Sequence, residues 1–433
     1  MRRKKIAAVS VTLAGIMAAA GVMSGCSLSG GDNGKIRIEM IQYKQEAVGV
    51  FEELEKKFNE THDDIELVID SPNDATTIMK TRFIREDYPD IIGIGGDMNY
   101  SNFLDAGLLM DISDYEGLDS IKQAYLDMDK ELELVPQEGV YAVPYAANAA
   151  GVLYNKDIFD EHGWEIPTTW DEFLALCEDI QAEGLQPFFF GFRDTWTCLA
   201  PWNAIAVDLV DSDICSQVNR GEANFTDNYR EVAEKTRALL DYAQDDPFAY
   251  SYNDACTAFA RGEAVMYPIG SYAVPQIQSV NPDINIDSFV MPASEDASVN
   301  KLNSGNDLQF SVLAESEHKE AAYEVLDFLL EDENVQFYLD DQNAVPCKEG
   351  DFELAPMLDG MKTYIEDGYL ADYQDHHYPS EMAVDAMIQT YLLDDSENAT
   401  DTFLERFDTE WVRYNRDTIR NLEEYMEEHP DAE

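Results

Sequence analysis

IRIEMIQY (Ile36–Tyr43), IELVI (Ile65–Ile69) and DIIGI (Asp90–Ile94) are three short apolar runs separated by two segments of helical pattern. The first alternates, with Ile36, Ile38 and Met40 on one face, which is the period-two signature of a strand. Between the first and second runs, Ala47–Asn59 places Phe51, Leu54 and Phe58 at helical spacing, and Asp74–Arg85 reads as a second helix. After Asp90 the third run is wholly apolar and leads into Gly95 and Gly96. A β-α-β-α-β order of this kind predicts a parallel sheet covered by helices.

Downstream the pattern repeats. Gly151–Asn155 is a short strand, and Thr169 with Glu172 three residues on is a capping-box signature. It opens a helix to about Ala182 with Phe173, Leu176, Cys177 and Ile180 on one face. A strand at Gln186–Phe190, helices at Leu199–Leu209 and Asp227–Ala243, and a strand at Ala264–Ile269 follow. Further strands are expected at Ile286–Met291 and Leu308–Leu313, and a helix at Lys319–Leu330. The tail from Phe352 is almost all helical, and its last helix, Asp401–Glu428, aligns Phe403, Phe407, Trp411, Tyr414, Thr418 and Leu422. The fold class expected is α/β in two lobes, each a sheet flanked by helices.

The chain has 433 residues and a formal net charge of −58. Nucleic-acid binding through phosphates needs a basic surface and is excluded on charge. Docking on anionic headgroups is disfavoured for the same reason. The 23 Tyr, 20 Phe and 5 Trp are too many for a disordered acidic tail, so the acidic residues read as a solvated surface. GxSxG and HExxH are absent.

Arg2–Lys5 is a positive start, and Ile6–Val22 is an Ala-rich apolar stretch ending at Met23-Ser24-Gly25-Cys26. This is the pattern of a signal peptide over residues 1–25 rather than a spanning helix. The small residues before Cys26 resemble a bacterial lipobox, which makes Cys26 the expected lipidation site. Residues 26–34 then form a Gly/Ser/Asn-rich tether. The remaining cysteines, Cys177, Cys198, Cys215, Cys256 and Cys347, are odd in number and lack zinc-site spacing. Most are expected to be buried thiols, with one disulfide left open.

Six segments in fixed order carry a family likeness: YPDIIGIGGD (Tyr88–Asp97), GVYAVPYAANAAGVLYNKDIF (Gly139–Phe159), PTTWDEFLALCEDI (Pro167–Ile180), FARGEAVMYPIGSY (Phe259–Tyr272), HKEAAYEVLDFLL (His318–Leu330) and NAVPCKEG (Asn343–Gly350). Together they resemble the family 1 extracellular solute-binding proteins of carbohydrate ABC transporters, the maltose-binding-protein-like group. The resemblance implies a two-lobed periplasmic-binding-protein-like fold with several hinge crossings. It places lobe one at 35–145 and 292–345 and lobe two at 146–291 and 346–433. The crossings fall near Tyr145–Ala146, Met291–Pro292 and Val345–Pro346. It further implies a monomer that is not an enzyme, takes an oligosaccharide and hands it to a membrane permease; no cofactor is expected, and the two adjacent His beside Asp375 have the wrong spacing on a helix face for a metal. A lipid anchor suits a Gram-positive cell, which has no periplasm.

A sugar offers hydroxyls that donate and accept, and flat C–H faces, so its site pairs aromatic platforms with carboxylates, amides and a few cations. Lys44 and Glu46 follow the first strand and can point to one side; as a surface helix-cap pair they would have no such role. Asp97 follows the third strand, where it either faces ligand or caps the next helix. Trp196 lies after a lobe-two strand and suits stacking, whereas Trp202 suits core packing. Tyr272 follows Gly270-Ser271 at a strand end, where the family often has an aromatic platform. Asp307 sits before a lobe-one strand, where the family usually has a Gly-rich turn, so its role is an addition to the pattern. Tyr373, Asp375 and His376 belong to a polar-aromatic cluster between C-terminal helices. Asp375 and His376 together look like members that bind α-1,6-linked oligosaccharides of the raffinose or isomaltose type. A secreted glycoside hydrolase and a receptor of the same fold for a polyamine or peptide are the rival readings.

Overall fold

The computed structural model describes residues 34–429. The signal peptide, Cys26 and all of the tether but Gly34 lie outside the described residues. Eleven strands are described: β1 (Ile36–Gln42), β2 (Ile65–Asp70), β3 (Ile91–Ile94), β4 (Val143–Ala147), β5 (Ala150–Asn155), β6 (Met266–Gly270), β7 (Ile286–Phe289), β8 (Leu302–Asn303), β9 (Asn306–Val312), β10 (Val345–Pro346) and β11 (Leu370–Ala371). They form two sheets: a 6-stranded one in the order β10-β4-β9-β3-β1-β2, and a 5-stranded one in the order β11-β8-β5-β6 with β7 beside β5.

The expected β-α-β-α-β unit is present, with β1 parallel to both β2 and β3. The connecting helices, Val48–Thr61 and Ala75–Ile84, bury the predicted Phe51, Leu54 and Phe58 together with Met79 and Phe83. The sheet is nevertheless mixed, because β9 runs antiparallel to β3, and β4 antiparallel to β9. This matters for the site. An antiparallel β9 starts where the parallel β3 ends, so Asn306 and Asp307 arrive beside Gly95–Asp97.

β2 closes the first sheet and leaves one edge unpaired. Exposed edges invite pairing with other chains. Here the first helix covers it: the Asn59 side chain donates to the Leu67 carbonyl at 2.8 Å and accepts from the Leu67 N–H at 2.9 Å. The Glu55 carboxylate accepts from the Ile69 N–H at 2.7 Å. Asn59→Ala removes both bonds to Leu67 and is expected to cost about 1 kcal/mol in urea unfolding.

Several sequence expectations shift. Gln186–Phe190 is not a strand; Phe188 makes only single bridges to Ala243 and Met266. The helix expected at Asp227–Ala243 is divided into Phe225–Asn228, Arg230–Ala238 and a 3-10 turn at Leu239–Tyr242. The expected last helix breaks at Asn415 into Ala399–Tyr414 and Arg416–Glu428. Phe403, Phe407, Trp411 and Leu422 are buried, but Tyr414, the last residue before the break, is exposed.

The chain passes between the sheets at other points than expected. β4 reaches Ala147, so the first passage is Asn148–Ala149 rather than Tyr145–Ala146. The passage expected at Met291–Pro292 lies instead at Ser304–Gly305, because β8 pairs in the second sheet. Residues 292–303 are tied to that body. The Asp208 carboxylate accepts from the Ala293 and Lys301 N–H groups at 3.1 and 2.8 Å. The third passage follows Pro346, at the end of β10. The helix Gln123–Glu131 braces all three. Its Tyr125 hydroxyl bonds Ser304 Oγ at 3.1 Å, and Ser304 in turn donates to the Asn148 carbonyl. The Lys122 N–H donates to the Cys347 carbonyl at 2.8 Å.

The five cysteines from Cys177 to Cys347 are all free and buried. Among the described residues no helix is long and apolar enough to cross a membrane.

Candidate binding cleft

In parallel-stranded α/β sheets the carboxyl ends of the strands form the natural ligand crevice. In the first sheet that edge carries Lys44 after β1, Asp97 after β3 and Asp307 at the start of β9. The Lys44 Nζ lies 2.7 Å from Asp307 and 2.7 Å from Glu46. Lys44 is largely buried. Burial disfavours its charge, yet the two carboxylates outweigh this and raise its pKa. Glu46 shows the converse: burial opposes ionisation, and Lys44 overrides it and lowers the pKa. The Tyr43 hydroxyl donates to the Asp307 carbonyl at 2.5 Å and fixes this corner. Gly96 is required here, since a Cβ would stand 2.8 Å from Asn306 Cβ.

Asp97 caps the helix Met98–Asp105, accepting from the Asn99 N–H at 2.7 Å. Its capping role and its place in the cleft are both realised, because the helix starts at the sheet edge.

The second sheet supplies the aromatic wall. Tyr272 follows β6 and is 37% exposed; Trp196, in the 3-10 turn Thr195–Cys198, is 41% exposed. Their ring centroids are 6.1 Å apart, and Trp196 also meets Tyr252 at 5.0 Å. The Tyr272 ring lies back over Gly270, where a Cβ would fall 2.2 Å from Cε1. Only glycine leaves that space. Trp202 is fully buried, donating from its indole N–H to the Tyr378 hydroxyl at 3.1 Å.

Two adjoining cavities result. One, about 550 Å³, sets Lys44, Glu46 and Asp307 of the first sheet against Tyr252 and Tyr272 of the second. The other, about 210 Å³, sets Asp97 against Trp196 and Asp375. Tyr373 is buried beside them, its hydroxyl without a hydrogen-bond partner, and His376 is partly exposed, its ring centroid 5.0 Å from that of Tyr373. Seven of the nine residues singled out from the sequence line these two cavities, and Tyr373 and His376 lie behind Asp375 without lining either. Sequence reading missed Asn148, Tyr252, Asp341 and Gln342, which line the larger cavity. Asn148 was reachable, since it lies within the quoted Gly139–Phe159 motif; Asp341 and Gln342 end a helix and carry no local signal.

Charge in the cleft is lopsided. The two cavities are lined by Glu46, Asp307, Asp341, Asp97, Asp375 and Asp385, against Lys44 alone among lysines and arginines. Behind the passages lies another carboxyl. Asp129 is buried against the Asn306 amide at 2.9 Å, and burial pushes its pKa up to about 8. An aspartate raised from 3.8 in this way favours the folded state at low pH; that contribution is lost as pH climbs through about 8. Asp129→Asn is expected to keep the fold and flatten the decline of stability between pH 5 and about 8 in urea titrations.

Residues 43–336 match the family of bacterial extracellular solute-binding proteins. The chain belongs to this family. It is similar to the multiple sugar-binding protein of Streptococcus mutans, 28% identical over 315 residues covering 71% of this chain and 74% of that one. Among solved structures it is similar to apo RafE from Streptococcus pneumoniae, with a TM-score of 0.79 and 26% identity over 88% of this chain and 100% of that one. RafE in complex with raffinose gives a TM-score of 0.72 at 26% identity over 87% and 100%. These neighbours bear out the expected two-lobed α/β fold and the family likeness read from the six segments.

Proposed function

We propose that this protein is the substrate-binding lipoprotein of an ABC importer, capturing an oligosaccharide between its lobes and delivering it to the permease. The observation that carries this reading is the exposed Trp196–Tyr272 pair, 6.1 Å centroid to centroid, with Tyr272 in the cavity of Lys44 and Asp307 and Trp196 in that of Asp97 and Asp375. Flat apolar platforms facing carboxylates and an ammonium are what a ring with C–H faces and hydroxyl edges requires. Lys44, Glu46, Asp97, Trp196, Tyr272, Asp307, Tyr373, Asp375 and His376 are the contact residues in this reading. Residues bridging Asn148–Ala149, Ser304–Gly305 and Pro346–Cys347 act as the hinge on which the lobes close.

The finer reading favours α-1,6-linked sugars of the raffinose or isomaltose type. The Asp375–His376 pair and the likeness to a protein solved with raffinose support it. The chain works as a monomer on the outer face of a Gram-positive cell membrane, held by a lipid on Cys26 after loss of residues 1–25. It needs no metal and performs no hydrolysis.

Calorimetric titration with raffinose, isomaltotriose, maltotriose, xylotriose and cellotriose tests this. Binding of the first two in preference supports the α-1,6 reading, and binding of another discards that preference alone. Silence across the panel from a folded protein overturns the sugar reading and moves polyamines and peptides forward. Release of smaller sugars on long incubation brings back the glycoside hydrolase.

A further inference from the structure

The turn Tyr373–Tyr378 sets Asp375, which lines the smaller cavity, next to His376, which is partly exposed beside it, and each is hydrogen-bonded by a buried residue. Asn203, on the helix Leu199–Leu209, is 2% exposed. Its amide donates to Asp375 Oδ1 at 2.8 Å and accepts from the Asp375 N–H at 3.3 Å. That two-point clamp leaves Asp375 Oδ2 for the cleft. Asp372 is likewise buried, and its Oδ1 accepts from His376 Nδ1 and from the Tyr373 N–H, both at 2.8 Å. With Nδ1 committed, His376 Nε2 has no hydrogen-bond partner among the described residues.

Asp372 and His376 pack directly against a passage between the sheets. A Cβ on Gly305, in the passage between β8 and β9, would fall 2.1 Å from Asp372 Oδ1 and 2.8 Å from His376 Cε1. The backbone of the passage therefore rests on the dyad.

We infer that Asn203 and Asp372, which line neither cavity, are positioning residues that orient Asp375 and His376 toward the ligand. This rests on the oligosaccharide reading of the cleft. A fixed carboxylate beside a fixed imidazolium offers one strong acceptor and one strong donor. That pair suits two neighbouring hydroxyls, one donating and one accepting.

The surrounding charges agree with this. For His376, burial disfavours protonation, but Asp372 first, then Asp375 and Asp97, overcome it and push the pKa up to about 9. His377, also near Asp372, is instead lowered by burial. For Asp375, burial raises the pKa; His376 and the Asn203 amide pull it back, and Asp372 adds to the rise. Tyr272, Tyr373 and Tyr378 complete the ring of titratable neighbours.

The test has two arms on the full chain. In the first, the His376 ring is titrated by NMR without ligand, its signal assigned by loss in His376→Gln. A midpoint of about 9 that falls to 6.5 or below in the isosteric Asp372→Asn is expected. A wild-type midpoint near 6.5, or one that Asp372→Asn leaves in place, overturns the role of Asp372. In the second arm, raffinose affinity is measured in two double-mutant cycles, Asp372→Asn with His376→Gln and Asn203→Ser with Asp375→Asn. Each positioning variant is expected to lose about tenfold alone and nothing further once its partner is already changed. Additive losses overturn the proposal while leaving the cleft's function intact. If wild type ignores raffinose and the other panel sugars, the ligand reading fails, and the first arm still decides the grip on His376.

Discussion

Tyr272→Ala is expected to weaken ligand binding by roughly 30- to 150-fold while moving the unfolding midpoint little. Truncating an aromatic anchor at the centre of a contact costs about 2–3 kcal/mol, and each 1.4 kcal/mol is tenfold. The small effect on stability follows from place: Tyr272 is 37% exposed, and its ring covers Gly270 rather than filling the core. Trp196→Ala is expected to act in the same direction and more weakly, because Tyr252 at 5.0 Å offers a substitute face. Titration of each variant with the sugar that binds wild type checks the order. Tyr272→Phe separates the platform from the hydroxyl: retained affinity assigns the energy to the ring face. Equal affinity of Tyr272→Ala and wild type would remove the aromatic wall from the binding reading.

Legibility of the sequence divided along physical lines. Regular elements whose signal is local were readable. The Thr169 cap is an example: its side chain accepts from the Glu172 N–H as the spacing demanded, and the helix runs Trp170–Ala182 as expected. What depended on pairing was not readable. β8 has two residues, too few for any periodicity, yet its pairing with β5 and β11 moves the passage from Met291 to Ser304. The antiparallel placement of β9 left no trace in its composition either, although it decides that Asp307 meets Lys44. Strand-end residues were found because the carboxyl-edge rule needs only the ends of strands. Asn203 was passed over because it sits in a helix with Trp202, Ala204 and Ile205, where sequence shows only an apolar surface. Its significance comes from a partner 172 positions away.

Trp202→Ala is expected to destabilise the protein by about 3–5 kcal/mol, the usual cost of removing a fully buried indole. Its neighbours explain the size. Tyr229 and Phe403 meet the ring edge-on at centroid distances of 5.3 and 5.7 Å, and the indole N–H donates to the Tyr378 hydroxyl, which itself donates to that of Tyr229 at 2.9 Å. Alanine leaves a cavity and strips the buried Tyr378 hydroxyl of its donor. Two tryptophans close together in sequence are thus expected to separate cleanly. Trp196→Ala lowers affinity and leaves urea unfolding nearly unchanged. Trp202→Ala lowers the urea midpoint and leaves the affinity of the folded fraction near that of wild type. A further consequence tests the link between core and cleft. Tyr378 follows Asp375 and His376 on the same turn, so a loss of affinity in Trp202→Ala is expected to pass through that turn. It is expected to vanish in the Asp375→Asn background. A loss that persists there would mean that Trp202 supports the cleft by another route, through the helix Leu199–Leu209 and Trp196 at its entry.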